Sequence, residues 1–141
     1  MKQSNTARYS YAAGIIDGEG SFVASYRRRD NKDGYSRNSF ESKISVSQKD
    51  GRIVDWLYGV FGGFITIQKA YTQRPEMYQW VIDNRKAYEF AKKIYSFLRY
   101  KKDQCLIFIK LSERKIIGEK QRHINGRFQE LSLLESQKRF K

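Results

Sequence analysis

The sequence predicts an α+β protein: one antiparallel sheet with helices on a single face, in the order α-β-β-α-β-β-α with further helices at the C-terminal end. Three observations predict it. Two pairs of short segments alternate apolar and polar residues with period two, each pair around a turn-like stretch. Segments with apolar residues at helical spacing separate those pairs. At 141 residues the chain has the length of one domain with a real core. No linker or low-complexity run divides it, so residues 1–141 are read as one domain, with a core over about 7–111 and C-terminal helices over about 112–141.

The first helix is capped by Asn5 or Thr6 and carries Tyr9, Ala12, Ala13, Ile15 and Ile16. Gly18 and Gly20 close it. From Ser21 to Arg29, Phe22, Ala24 and Tyr26 share one face, while Val23, Ser25, Arg27 and Arg29 share the other. Asp30 to Gly34, DNKDG, is a turn. Ser39 to Gln48 alternates again, with Phe40, Ile44 and Val46 against Ser39, Glu41, Lys43 and Ser45. Asp50 is the cap of a second helix bearing Ile53, Trp56, Leu57, Val60 and Phe61, which Gly62-Gly63 ends.

Phe64 to Lys69 and Met77 to Ile82 make a second hairpin around YTQRPE. Ile65 and Ile67 are expected toward the core, as are Tyr78, Trp80 and Ile82. Asn84 is expected to cap a helix that buries Ala87, Phe90, Ala91, Ile94, Phe97 and Leu98. LRYKKDQ interrupts the pattern, and a helix around Cys105 to Lys115 resumes it. Phe128, Leu131 and Leu134 predict one more helix in the tail.

Charge narrows the partner. Lys and Arg number 28 against 15 Asp and Glu, a net charge of +13. Such an excess on a small chain fits a polyanion, most often nucleic acid. One cysteine, Cys105 in CLIFI, makes no internal disulfide and reads as a small buried residue in a reducing compartment. No apolar run approaches the ~20 residues of a membrane span. MKQSNTARYS holds no apolar signal core, so an intracellular protein is expected, in whichever compartment holds its partner.

The predicted sheet keeps one face uncovered. Its residues are mainly polar or basic: Ser25, Arg27, Arg29, Ser39, Glu41, Lys43, Ser45, Thr66, Gln68 and Gln79. A half-buried sheet commonly shows such a face to water. With the overall charge it also reads as a DNA-binding surface, since the major groove admits a β-ribbon and Arg, Lys, Gln and Ser address base edges there. The pattern does not separate base contacts from phosphate contacts.

The end of the first helix carries two acids. YAAGIIDGEGSF places Asp17 and Glu19 among glycines where helix gives way to strand. Acids there are unfavourable to the helix dipole and ordinarily face water. Gly14 and Gly18, however, have the spacing that lets two helices approach closely, inside one chain or between two. A self-paired helix would set Glu19 beside Glu19 of a second copy. Paired carboxylates call for a cation, and Mg²⁺ takes carboxylate oxygens, waters and phosphate.

AAGIIDGEG, Ala12 to Gly20, resembles the LAGLIDADG motif of the homing endonucleases. Ala12 stands for its first Leu, Gly14 for its first Gly, Asp17 and Glu19 for its acids, and Gly20 for its final Gly. The resemblance runs from about Tyr9 to Lys110 and is to the single-motif, homodimeric members. ISVSQKDGR, Ile44 to Arg52, is similar to the family segment that ends the second strand. FLRYKKDQ, Phe97 to Gln104, is similar to the segment that enters the late helix.

The resemblance implies a saddle-shaped sheet and a dimer through Ala12, Ala13, Gly14, Asp17 and Gly18. It implies that Glu19, helped by the Gly18 carbonyl, holds Mg²⁺, with Mn²⁺ able to substitute, and that Asp17 is structural. Gln48 would position water near the scissile phosphate. Lys101, or Lys102 if the register shifts by one, and Arg52 would offset negative charge there. His123, the single histidine, lies outside the matched segments. The expected activity is site-specific, metal-dependent cleavage of both strands of a long, roughly palindromic double-stranded DNA. Three alternatives stand beside it: a maturase binding its intron RNA on the same fold, a DNA-binding protein that does not cleave, and an unrelated basic RNA-binding or ribosome-associated protein.

Overall fold

The structure, a computed structural model, describes residues 3–30, 32, 34, 36–73 and 75–125, with the backbone alone at 27–29, 36–38 and 119–125. The tail helix expected around Phe128, Leu131 and Leu134 lies outside the described residues, as do residues 31, 33 and 35 of the first hairpin connection. The order is α1 (Asn5–Glu19), β1 (Gly20–Asp30), β2 (Ser36–Gln48), α2 (Gly51–Phe61), β3 (Phe64–Gln68), β4 (Met77–Asp83), α3 (Asn84–Ile94), a 3-10 turn (Tyr95–Phe97) and α4 (Lys102–Asn125). The four strands form one antiparallel sheet, ordered β1-β2-β4-β3.

Caps set the helix starts. Ser4, one residue before the expected pair, accepts from the Ala7 N–H at 3.2 Å. Asp50 accepts from the Arg52 N–H at 2.9 Å and starts α2 as the sequence suggests. Asp83, not Asn84, holds the capping position of α3, and its side chain makes no capping bond. Asn84 is instead the first helical residue, with φ 53°. α4 begins three residues before Cys105 and runs ten past Lys115, because the polar stretch after Ile117 continues the helix without an apolar stripe to announce it.

The helices pack on the sheet face that carries Phe22, Ile44, Val46, Trp80 and Ile82. α1 contributes Ala12, Ala13 and Ile16, all 0% exposed; α3 contributes Ala87, Phe90, Ala91 and Ile94. Aromatic contacts tie the layers: Trp80 to Phe90 at 5.4 Å, Phe90 to Phe61 at 4.9 Å, and Phe22 to Phe108 of α4 at 5.5 Å. Cys105 is buried in this core, where burial pushes its thiol up to about 12. Ile65 packs against the core as expected, but Ile67 is 57% exposed. It sits near the end of the edge strand β3, which only β4 flanks.

Gly62 and Gly63 turn the chain from α2 into β3 with φ 77° and 85°. A Cβ on Gly63 would collide with the Val81 carbonyl oxygen. The Gly62 carbonyl accepts from Trp80 Nε1 at 2.7 Å, locking the turn to the buried indole. Trp80→Phe keeps most of the ring and strands that carbonyl. We expect a loss of about 1–2 kcal/mol in a urea titration; an unchanged midpoint would show that water satisfies it.

Candidate active site

The turn from α1 into β1 brings Asp17, Gly18 and Glu19 together with Lys101 from far along the chain. α1 ends at Glu19 because Gly20 leaves the helical backbone there, its N–H still bonded to the Ile16 carbonyl. Gly20 is buried against Ile16: a Cβ at this position would lie 2.7 Å from the Ile16 Cα. The glycine therefore fixes how tightly the acids turn onto the sheet.

Asp17 reaches far along the chain. Its carboxylate accepts from the backbone N–H groups of Arg99, Tyr100 and Lys101 at 2.8, 3.1 and 2.8 Å. Partial burial works to raise its pKa, but these three bonds and the nearby Lys101 charge outweigh it and hold the carboxyl below its ordinary value. Lys101 in turn donates from Nζ to the Gly20 carbonyl. The ammonium is thereby fixed next to Glu19 in the chain, while Glu19 itself is exposed and has no hydrogen bond or ion pair among the described residues.

Gln48 approaches across the sheet. Gly20 pairs with Val46, so the last residue of β2 lies roughly 7 Å further along the strand, past the start of β1. Gln48 points to the helix side and is half-buried. Arg52 follows in the first turn of α2 but does not turn toward Glu19. Its guanidinium clasps Asp50, with Nη2 2.6 Å from Oδ2 and Nε 3.0 Å from both carboxylate oxygens, and its side chain is 90% exposed. That pairing holds the Asp50 pKa down to about 2. Lys102 is exposed and lies over the Tyr95 ring at 5.2 Å, away from Gly20.

The outer surface of α1 differs from expectation in one respect. Ala12 and Ala13 belong to the chain's own core at 0% exposure and are not available to a second copy. Gly14 and Gly18 are: a Cβ on either would meet nothing within 4 Å. Nothing in this chain therefore requires glycine at those two places. Tyr11, 50% exposed and set edge-on to Trp56 at 4.8 Å, flanks them.

Strand register puts all ten of the predicted polar and basic sheet residues on one face. Ser25 pairs with Glu41, Arg27 with Ser39, Thr66 with Gln79 and Gln68 with Met77. Lys43 is exposed among them. The side chains of Arg27 and Arg29 lie outside the described residues. Ser45 is 7% exposed and shares a 2.9 Å hydrogen bond with Ser21, so it offers little to a ligand. Ser21 and the exposed Val23 and Phe64 share this face too; the alternation already places Val23 and Phe64 there, although none of the three stands among the ten binding candidates.

The sequence profile described as LAGLIDADG endonuclease matches residues 12–113. The chain belongs to that family. No curated protein matches it, but solved structures do. The archaeal intron-encoded homing endonuclease I-Vdi141I, solved with DNA, shares 26% identity at a TM-score of 0.66, covering 96% of this chain and 85% of that one. The homing endonuclease I-CvuI, in a complex with a DNA target and Mg²⁺, shares the fold at 14% identity and a TM-score of 0.65, covering 94% and 76%. I-SmaMI, as its K262A mutant, shares 26% identity at a TM-score of 0.57; 89% of this chain matches 43% of that longer one.

As a LAGLIDADG endonuclease the chain carries its motif at the α1–β1 turn just described. Among the described residues no three Asp, Glu, His or Cys gather into a metal-holding cluster, so one copy brings a single uncommitted carboxylate to this place. No helix among them is long and apolar enough to cross a membrane.

Proposed function

We propose that two copies of this chain join through α1 and cleave both strands of a long, roughly palindromic DNA duplex by metal-dependent phosphodiester hydrolysis. The observation that carries this reading is the state of Glu19. It is exposed and, among the described residues, unpartnered at the end of a helix whose glycine face is open, beside an ammonium held by the Gly20 carbonyl. Two helices meeting across Gly14 and Gly18 would bring two such ends together on one axis.

Glu19 and the Gly18 carbonyl fit a hard cation. Both are oxygen donors, and Mg²⁺ keeps several waters and needs few protein ligands. The bound metal would lower the pKa of water and stabilise charge on the phosphate. Lys101, positioned through its Nζ bond to Gly20 and its N–H bond to Asp17, places a positive charge where the phosphate would lie. Gln48, an amide that does not titrate, orients water by hydrogen bonding. Arg52 would keep Nη1 for a phosphate while Asp50 engages Nε and Nη2.

The open sheet face supplies the duplex-binding surface. The 11 residues of β1 extend about 37 Å, close to one turn of B-DNA at ~34 Å. Each copy would then read a half-site of about ten base pairs. Affinity should fall steeply with salt, because phosphate contacts release counterions.

Selection of cleaved sites from a randomised duplex library tests the reading. We expect a target with two-fold symmetry, cut with Mg²⁺ or Mn²⁺ and uncut in EDTA. A chain that binds a selected duplex tightly and never nicks it with either metal would exclude this function.

A further inference from the structure

The helical layer carries a second cleft, on the opposite side of the sheet from the open face. α1, α2 and α3 leave between them a cavity of about 480 Å³, within the usual range of small-ligand sites. Its floor is aromatic: Tyr9 and Phe61 stack with centroids 6.0 Å apart and planes at 25°, and Phe90 lies beside them. Its rim is basic. Arg8, Arg85, Lys86 and Lys93 line it against one acid, Glu89. Among the described residues none of the four makes an ion pair; Lys93 sits 5.8 Å from the Tyr9 ring centroid. Unpaired like charges converging on one cavity repel each other, and an anion relieves that repulsion.

Arg85 also lines a smaller polar cavity of about 280 Å³, between the start of α3 and the middle of α4. Two observations there point independently to a ligand. Ser112 is 2% exposed, and its hydroxyl has no hydrogen-bond partner among the described residues, although buried hydroxyls are ordinarily satisfied. The first-turn N–H groups of the 11-residue α3 have no side-chain cap from Asp83, and such groups favour a phosphate. Lys115, whose Nζ donates to the Phe40 carbonyl at 3.1 Å, adds charge on the far wall.

We infer that the two cavities together bind one nucleotide unit, its base on the Tyr9–Phe61 floor and its phosphate at the start of α3 beside Arg85 and Ser112. The unit is a free nucleotide or an unpaired residue of a single strand of nucleic acid. A planar base suits an aromatic floor whatever its identity, and a phosphate suits the basic rim. The site shares no residue with the α1–β1 turn or the open sheet face and rests on neither.

The test uses the full chain and a fluorescent single-stranded DNA of about ten nucleotides, followed by anisotropy in EDTA with the sheet face saturated by unlabelled duplex. The strand should still bind. Arg85→Glu with Lys86→Glu should weaken it by at least about tenfold. Acidic residues in the first turn of a helix suit its dipole, so this variant should keep its fold. Lys110→Glu with Arg114→Glu makes the same charge change on exposed α4 residues that line neither cavity and should weaken binding by less than about threefold. Displacement of the strand by AMP identifies a free nucleotide as sufficient; sensitivity to Arg85 and Lys86 without AMP displacement identifies the strand. The inference is overturned if the strand does not bind, if duplex displaces it fully, or if both paired variants weaken it equally. Duplex cleavage measured on the same proteins should be unchanged by either pair. Its absence in wild type would count against the proposed nuclease function and not against this site.

Discussion

Glu19→Gln should reduce duplex cleavage by on the order of a thousandfold or more, with target binding retained. The amide has nearly the shape of the carboxylate but no charge, so it loses the hard anionic oxygen a divalent cation requires. Little else should change. Glu19 is exposed and has no partner among the described residues, so its removal leaves no hydrogen bond broken. The melting temperature should therefore stay within a degree or two. The decisive comparison is between binding and cleavage on one target: a variant that still cuts at a tenth of the wild-type rate would remove Glu19 from the metal site.

Asp17→Ala should act through a different route. It deletes the acceptor for three backbone N–H groups at once, at Arg99, Tyr100 and Lys101. Bonds to a carboxylate are stronger than neutral ones, but two of these lie at the surface, which brings the expected loss to about 2 kcal/mol. Lys101 loses its backbone anchor in the same step, and a displaced ammonium should cost cleavage about 10–100-fold. Asp17→Asn, which keeps a carbonyl oxygen, should recover part of both. The deficit should also depend on pH in a set direction. The folded pKa of Asp17 lies below 3.8, so its stabilising contribution is complete above that pH and is lost as pH falls through the folded value. Wild type and Asp17→Ala should therefore converge in stability below pH 3.8. Equal stability of the two at neutral pH would show that the three bonds contribute nothing.

The local elements were legible because their signals are local. Alternation placed the four strands, Asp50 announced α2, and Gly62-Gly63 announced its end, each within a residue or three of the structure. The face of each strand residue followed from the same period, so the ten polar sheet residues fell together once the register was known. The strand order β1-β2-β4-β3 was not legible, since it depends on pairing between segments separated by a helix. Neither was the fate of α1's small residues. A stripe of alanine and glycine reads the same whether it faces its own core or a partner; here Ala12 and Ala13 took the first and Gly14 and Gly18 remain open. Lys101 had no signal of its own in the residues. Only the family resemblance singled it out, and its link to Gly20 and Asp17 is made by the fold.

The bonds from Asp17 to the 99–101 segment bear on timing. They join residues 82 to 84 positions apart in the chain. During synthesis the end of α1 emerges on the order of ten seconds before its tether does, at ribosomal rates of about 5–20 residues per second. Until then Lys101 does not exist and Asp17 has nothing to hold. A nascent or prematurely terminated chain can thus present the motif and the first hairpin before Asp17 has its tether and before Lys101 is held at the Gly20 carbonyl.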